Sequence, residues 1–372
     1  MAVVDSFDFL YSNCKDVFAS TRDWLAIFGV YYTCKKTLTF TYSLLSSLNC
    51  HVLSKIQQQD FRSLYGKWAV VTGSSEGIGK AYAHELANRG MNLILISKGE
   101  QQLKKTANTI TSQFAVNVIP IVVDFSGSSQ IYDEIWLAIK DKEIGILINN
   151  VGVMYDYPQL FLEVPEERLW QLINVNIMAT TMMTHMILPQ MVKRGRGAIV
   201  MMSSASCMKI TPQMTVYAGT KKYVDYFVQA LKYEYKNSGV VIQSLTPLYV
   251  ATRMTRYSET LSNPNLLIPS ASVYARHAVA TLGYSARTTG YLPHSIMLWL
   301  LTMLPDTLWM WGATHLNNGL RRRRRLASMQ MYFFLVASNF CYLTYLLIPY
   351  VKIRPCSSFF LLCSFLSFSS LP

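Results

Sequence analysis

The chain has 372 residues, 51% of them hydrophobic and 15% charged, with a formal net charge of +13. That length can bury a sizeable core in one large domain or two modest ones, and the apolar excess over an ordinary soluble domain points to membrane contact. Apart from five arginines at 321–325 the cations are scattered, with no basic stripe interleaved with aromatics, so nucleic acid is not an expected partner.

Residues 1–60 read as an apolar, membrane-associating segment. The stretch "DWLAIFGVYYTCKKTLTFTYSLLSSLNCHVL" holds two apolar runs split by Lys35 and Lys36. Each is shorter than the roughly 20 residues that span a bilayer. A membrane-surface or hairpin anchor and a helix packed on the main domain are both open. Asp5, Asp8, Asp16 and Asp23 make the segment a poor cleavable signal.

From about residue 61 to 320 the pattern is that of one α/β domain. Short apolar runs, "KWAVVTG", "MNLILIS", "NVIPIVVDF", "GILINN", "GAIVMMSS" and "VVIQSLTP", alternate with helical patterns. Continuous apolar strands imply burial on both faces and parallel pairing. The expected fold is therefore a Rossmann-type, doubly wound parallel sheet with helices on both faces, carrying apolar extensions at both ends. No internal repeat is evident beyond this alternation.

After the arginines, residues 326–350 carry no charge for 25 positions, long enough to cross a bilayer. Residues 321–372 are thus read either as an arginine run with a transmembrane segment or as a splice or gene-model artefact. The seven cysteines (Cys14, Cys34, Cys50, Cys207, Cys341, Cys356, Cys363) fit neither a disulfide framework nor a metal site. A reducing compartment and no metal are expected.

The strand ends hold the candidate chemistry. "VTGSSEGIGK" places Gly73, Ser75, Gly77, Ile78 and Gly79 between a strand and a helix, where free N–H groups and a positive dipole end suit a pyrophosphate. The next strand ends in Ser97 and Lys98 rather than an acidic residue, which favours the 2′-phosphate of NADP(H) over NAD(H). Asp124 closes the third strand, where a carboxylate can accept from an adenine amino group. Asn149, Asn150 and Gly152 close the fourth. Ser204 ends the fifth strand, thirteen residues before Tyr217, and "YAGTK" sets Tyr217 and Lys221 on one helix face. A serine hydroxyl there can polarise a carbonyl. A phenol can pass its proton to the developing alkoxide. A phenol titrates ordinarily near pH 10, and a neighbouring ammonium is expected to lower that value.

The ordered set T-G-x-x-x-G-x-G, N-N-x-G, Ser and Y-x-x-x-K resembles the short-chain dehydrogenase/reductase family over about residues 66–320. Val151 stands where the family usually has Ala. The resemblance implies a nicotinamide cofactor and a centre of Ser204, Tyr217 and Lys221, with Asn176 seating a relay water and Thr252 near the nicotinamide amide. It also implies dimerisation through the helix carrying Tyr217 and its neighbour.

"YGKWAVVTG", "LYVATRM" and "TTGYLPHS" look like the branch of 17β-hydroxysteroid and very-long-chain 3-oxoacyl-CoA reductases. That branch has a hydroxysteroid dehydrogenase-like group, often inactive because Phe replaces the catalytic Tyr. Position 217 here is Tyr. The resemblance implies a mitochondrial location, with the endoplasmic reticulum membrane as the alternative. "CMKITPQMTV" and the apolar residues 285–316 are expected to flank the mouth and suit a lipophilic substrate. Two functions stand: an NADP(H)-dependent ketone/alcohol oxidoreductase acting on a steroid or 3-oxoacyl substrate, and an inactive cofactor-binding protein that regulates a partner.

Overall fold

The structure is a computed structural model, and it describes residues 2–54 and 59–323. The chain divides into two compact units, Met1–Asn317 and Asn318–Pro372. The second is described only as far as residue 323, where it is helical. The expected membrane span at 326–350 lies outside the described residues.

The N-terminal segment is one helix, α1 (Ala2–Leu48), and not a hairpin. Lys35 and Lys36 do not break it, because residues 1–60 contain no proline and Gly29 alone is a weak breaker. Each lysine also lies over the ring one turn earlier, Lys35 at 5.9 Å from the Tyr31 centroid and Lys36 at 5.5 Å from that of Tyr32. The helix does not pack on the domain either: the large apolar side chains described along it are exposed. Among the described residues no helix is long and apolar enough to cross a membrane.

Seven parallel strands follow, in the order β3-β2-β1-β4-β5-β6-β7. They are β1 (Trp68–Thr72), β2 (Asn92–Ser97), β3 (Val118–Val122), β4 (Ile144–Asn149), β5 (Gly197–Met202), β6 (Val240–Leu245) and β7 (Arg287–Thr288). The order reverses between β1 and β4, so a crevice opens at their carboxyl ends.

The helices cover both faces. On one side α2 (Gly77–Asn88), α3 (Glu100–Gln113) and α8 (Ala271–Ala280) bury Leu86, Ile110 and Tyr274 against Val71, Leu95 and Val200. On the other, α4 (Ile131–Ile139), α6 (Ala179–Arg194) and α7 (Thr215–Glu234) bury Ile135, Ile187 and Val228 against Val70, Leu147 and Ile199. The short helix α5 (Glu166–Ile173) leads into α6 through a π turn, Asn174–Met178.

Two strands depart from the expected pattern. β3 is the sheet edge and half exposed rather than buried on both faces. Its Pro120 has no N–H to donate and is tolerated there for that reason. β7 is two residues long, too short to register as an apolar run. After β7 come α9 (Leu292–Met303) and a further helix over 306–317.

Candidate functional site

The crevice begins at the turn after β1. Gly73 and Gly77 have positive φ, +65° and +58°. Gly79 is a different case: a Cβ there would strike the Gly73 carbonyl oxygen and the Asn150 amide. The turn is pinned by Gly73 N donating to Ile96 O at 2.8 Å and by Asn150 Nδ2 donating to Thr72 O at 2.9 Å and Gly73 O at 3.1 Å. Asn150 therefore braces the glycine turn. Glu76, at the N-cap of α2, makes no side-chain capping bond and pairs instead with Arg253 at 3.1 Å. The first N–H groups of α2 thus lack a side-chain cap, the arrangement that suits an anion. Ile78 packs partly against the core, and Thr252 lies 3.5 Å from a Cβ placed on Gly77.

The carboxyl ends of β2 and β3 carry the next group. The Ser75 and Ser97 hydroxyls are 2.9 Å apart. The Lys98 Nζ lies 3.9 Å from Asp124 Oδ2, with both side chains about half exposed. Asp124 Oδ1 is already engaged in its own turn, accepting from Ser126 N at 3.0 Å and from Ser126 Oγ at 2.7 Å. Partial burial works to raise the Asp124 carboxyl, but those two bonds and the Lys98 charge outweigh it and hold the group below its ordinary value.

The third group meets over β4 and β5. Lys221 is buried and donates from Nζ to Met202 O at 2.8 Å, while its backbone carbonyl accepts from Ser203 Oγ at 2.7 Å. Gly152 passes close by: a Cβ there would sit 3.3 Å from Lys221 Nζ and 3.4 Å from Asn176 Oδ1. Asn176, almost fully buried on the π turn, accepts from Val153 N at 2.8 Å. Its amide donates to Val153 O and Thr220 Oγ1, both at 3.0 Å. Both of its donors are thus taken by protein. Ser204 starts a short 3-10 turn and hydrogen-bonds the Tyr217 phenol.

One electrostatic expectation is overturned. Burial pushes the Tyr217 phenol up to about 12, against the opposing pull of the Ser204 hydrogen bond. Lys221 does not lower it. Its ammonium points back to the Met202 carbonyl and lies 5.9 Å from the phenol ring centroid. Burial in turn pulls Lys221 down to about 8. Tyr217 is therefore a protonated phenol at neutral pH.

Several residues at this site escaped sequence reasoning. The Tyr155 hydroxyl accepts from Val216 N at 3.1 Å and steadies the start of α7. The phenols of Tyr249 and Tyr257 hydrogen-bond each other beside Tyr217, and burial raises both. The loop carrying Tyr249 is held by His294, whose Nδ1 accepts from Leu248 N at 3.4 Å while Nε2 reaches Leu267 O at 3.1 Å. Burial drives His294 down to about 4, so it stays neutral. Tyrosines are common enough in this chain that no spacing marks these three. The segment expected to flank the mouth is clasped by the C-terminal helices: Lys209 Nζ donates to Leu304 O at 2.8 Å, Trp309 to Ile210 O at 2.9 Å and Asn317 to Pro212 O at 2.9 Å.

A parallel sheet with a glycine turn at its switch point and a Ser–Tyr–Lys set beside it matches a known class. The short chain dehydrogenase family model covers residues 67–262, and the chain belongs to that family. Inactive hydroxysteroid dehydrogenase-like protein 1 of Homo sapiens is 47% identical over 323 residues, which is 87% of this chain and 98% of the relative. Very-long-chain 3-oxoacyl-CoA reductase of Anas platyrhynchos is 43% identical over 260 residues, 69% of this chain and 82% of the relative. Among solved structures, the short-chain dehydrogenase from Sphingobium yanoikuyae in complex with NADPH is similar, with a TM-score of 0.53 and 26% identity over 57% of this chain and 83% of that one.

Proposed function

We propose that the protein is an NADP(H)-dependent oxidoreductase that interconverts a ketone and a secondary alcohol on a lipophilic substrate of the steroid or 3-oxoacyl class. The observation that carries this reading is the convergence of Ser204, Tyr217, Lys221 and Asn176 next to the glycine turn. The cradle suits a dinucleotide: Gly79 has no room for a side chain, α2 starts without a side-chain cap, and Gly152 leaves Lys221 approachable. Gly73, Ser75, Gly77, Ile78 and Gly79 would hold the pyrophosphate side. Ser97 and Lys98 would take the 2′-phosphate, with Asp124 toward the adenine. Asn150, Gly152 and Thr252 would border the nicotinamide, and Tyr217 and Lys221 its ribose. The bound nicotinamide supplies or accepts hydride.

The protein's own part is proton chemistry. Ser204 polarises the substrate oxygen, and Tyr217, protonated at neutral pH, donates to the alkoxide as it forms. Lys221 holds its charge close to the site. Asn176 ties the Val153 loop to α7 through Thr220, one turn from Tyr217. The lipophilic substrate class is supported by the 43% identity to a reductase named for a very-long-chain 3-oxoacyl-CoA.

A second reading has its own support: the 47% identical human relative is named inactive. Here the chain binds cofactor and regulates a partner without turnover. NADPH titration of the full-length protein, followed by oxidation assays with ketosteroids and 3-oxoacyl thioesters, separates the two. Turnover lost in Tyr217→Phe establishes the first reading. Tight NADPH binding with no turnover on any substrate establishes the second, and absence of NADPH binding defeats both.

A further inference from the structure

The longest helix carries a pattern that the α/β domain does not use. Between residues 7 and 32 of α1 most of the exposed apolar side chains recur every seven positions, with Phe9, Ile27 and Val30 outside the repeat. Phe7, Cys14, Thr21 and Phe28 form one row. Leu10, Val17, Trp24 and Tyr31 form a second, and Tyr11, Phe18, Leu25 and Tyr32 a third. Thr21 is the one polar member, and its hydroxyl is turned onto the Val17 carbonyl at 2.9 Å. The ten large members are 60–71% exposed. Cys14 is exposed as well. The repeat stops at Lys35, which takes the next position of the first row.

Every charge in this stretch avoids the stripe. Asp8, Lys15 and Arg22, seven apart, flank the third row, and Asp16 and Asp23, also seven apart, lie on the far side in a row with Phe9 and Val30. Three carboxylates against two cations leave these positions net negative, which gives an anionic bilayer surface nothing to attract.

The period separates the candidate occupants. A seven-residue repeat drifts by about 20° per heptad on a straight helix. From the first heptad to the fourth the stripe turns by roughly 60°, so a flat surface meets only part of it at either end. A second helix that winds with it stays in register. The stripe spans roughly 40 Å at 1.5 Å per residue. Its seven aromatics, at roughly 150–250 Å² each and half covered, would remove about 700 Å² per helix from water. That approaches the ~800 Å² per partner of a stable interface.

We propose that residues 7–32 of α1 form a seam that associates with the same segment of a second copy of this chain. Three apolar rows in seven, wider than a two-row seam, also allow the helix to join a bundle of more than two.

Sedimentation equilibrium on the full-length protein tests this. Val17→Glu/Trp24→Glu places two charges in the stripe, and Ala19→Glu/Ala26→Glu places two on the far side. The wild type and the far-side variant are expected to share one assembly mass, with the stripe variant at half that mass or less. Where the folded domain itself pairs, the seam joins such pairs, and the stripe variant falls back to the pair at half the mass. Thr21→Leu completes the first row and should shift assembly to about fivefold lower concentration, a gain that misfolding cannot mimic. Equal masses for all four proteins overturn the proposal. So does loss of flotation on phosphatidylcholine or phosphatidylserine vesicles in the stripe variant with no change in mass, which would assign the stripe to a bilayer.

Discussion

Asn176 Nδ2 donates to Thr220 Oγ1 at 3.0 Å, joining the π turn before α6 to the helix that bears Tyr217 and Lys221. A π turn inserts an extra residue and re-aims the side chains around it. Here it brings the buried amide across to α7. Asn176→Ala would leave Val153 N and O without their partner inside the protein. It should cost about 1–3 kcal/mol, read as a fall in the urea midpoint at unchanged slope. Thr220→Val should cost less, because the Asn176 bonds to Val153 survive.

Tyr217→Phe removes the proton donor and keeps the ring. Ketone reduction should fall by about 10²–10⁴-fold, with the NADPH dissociation constant changed by less than about threefold. Equal loss of turnover and of NADPH affinity would show that the phenol serves binding instead.

The lowered Lys221 makes a signed pH statement. Its folded value is about 8, below the ordinary 10.5. Below pH 8 the ammonium is charged in both states and burial counts fully against the fold. Between pH 8 and 10.5 the unfolded chain binds more protons, so stability rises with pH across that window. Wild type should therefore gain stability relative to Lys221→Met from pH 8 to 10.5, by up to about 3 kcal/mol at about 1.4 kcal/mol per unit. Urea melts of both proteins across the window check it, and parallel curves would refute it.

Gly79→Ala drives a methyl into the Gly73 carbonyl and the Asn150 amide. NADPH affinity should drop by about tenfold or more, at least about 1.4 kcal/mol. Gly152→Ala meets Lys221 Nζ at 3.3 Å and Asn176 Oδ1 at 3.4 Å, where small shifts relieve the contact. It should lower kcat more than NADPH affinity. Fluorescence titration beside steady-state kinetics distinguishes the two effects.

Lys98 tests the choice of dinucleotide. Lys98→Ala should weaken NADPH by about tenfold, the value of one charge-assisted contact, and leave NADH unchanged. Equal losses for both nucleotides would place Lys98 in general electrostatics rather than in 2′-phosphate recognition.

Much of the fold was legible because its strands are buried on both faces and therefore appear as unbroken apolar runs. β3 misled because an edge strand needs only one apolar side, and β7 because two residues make no pattern. The glycine turn, Ser204, Tyr217 and Lys221 were visible as spacings. The raised phenol of Tyr217 was not, since burial by Tyr155, Tyr249 and the Val153 loop is a property of the folded assembly. The heptad in α1 was hidden by Cys14 and Thr21 in its first row and by aromatics in place of Leu and Ile. Lys35 and Lys36 read as a boundary between two segments, whereas in the structure they continue a single helix.

Lys221 is attached to the end of β5 twice, through its ammonium to Met202 O and through its carbonyl to Ser203 Oγ. Two anchors on one residue fix the roll of α7 about its own axis as well as its distance from the sheet. Tyr217, one turn earlier, inherits that orientation and cannot swing to follow a misplaced substrate. Adaptation to different substrates must then come from the residues of the neighbouring wall, the loop of Tyr249 and Tyr257. A change of substrate in this framework would be a change of that wall, with the proton donor as its fixed datum.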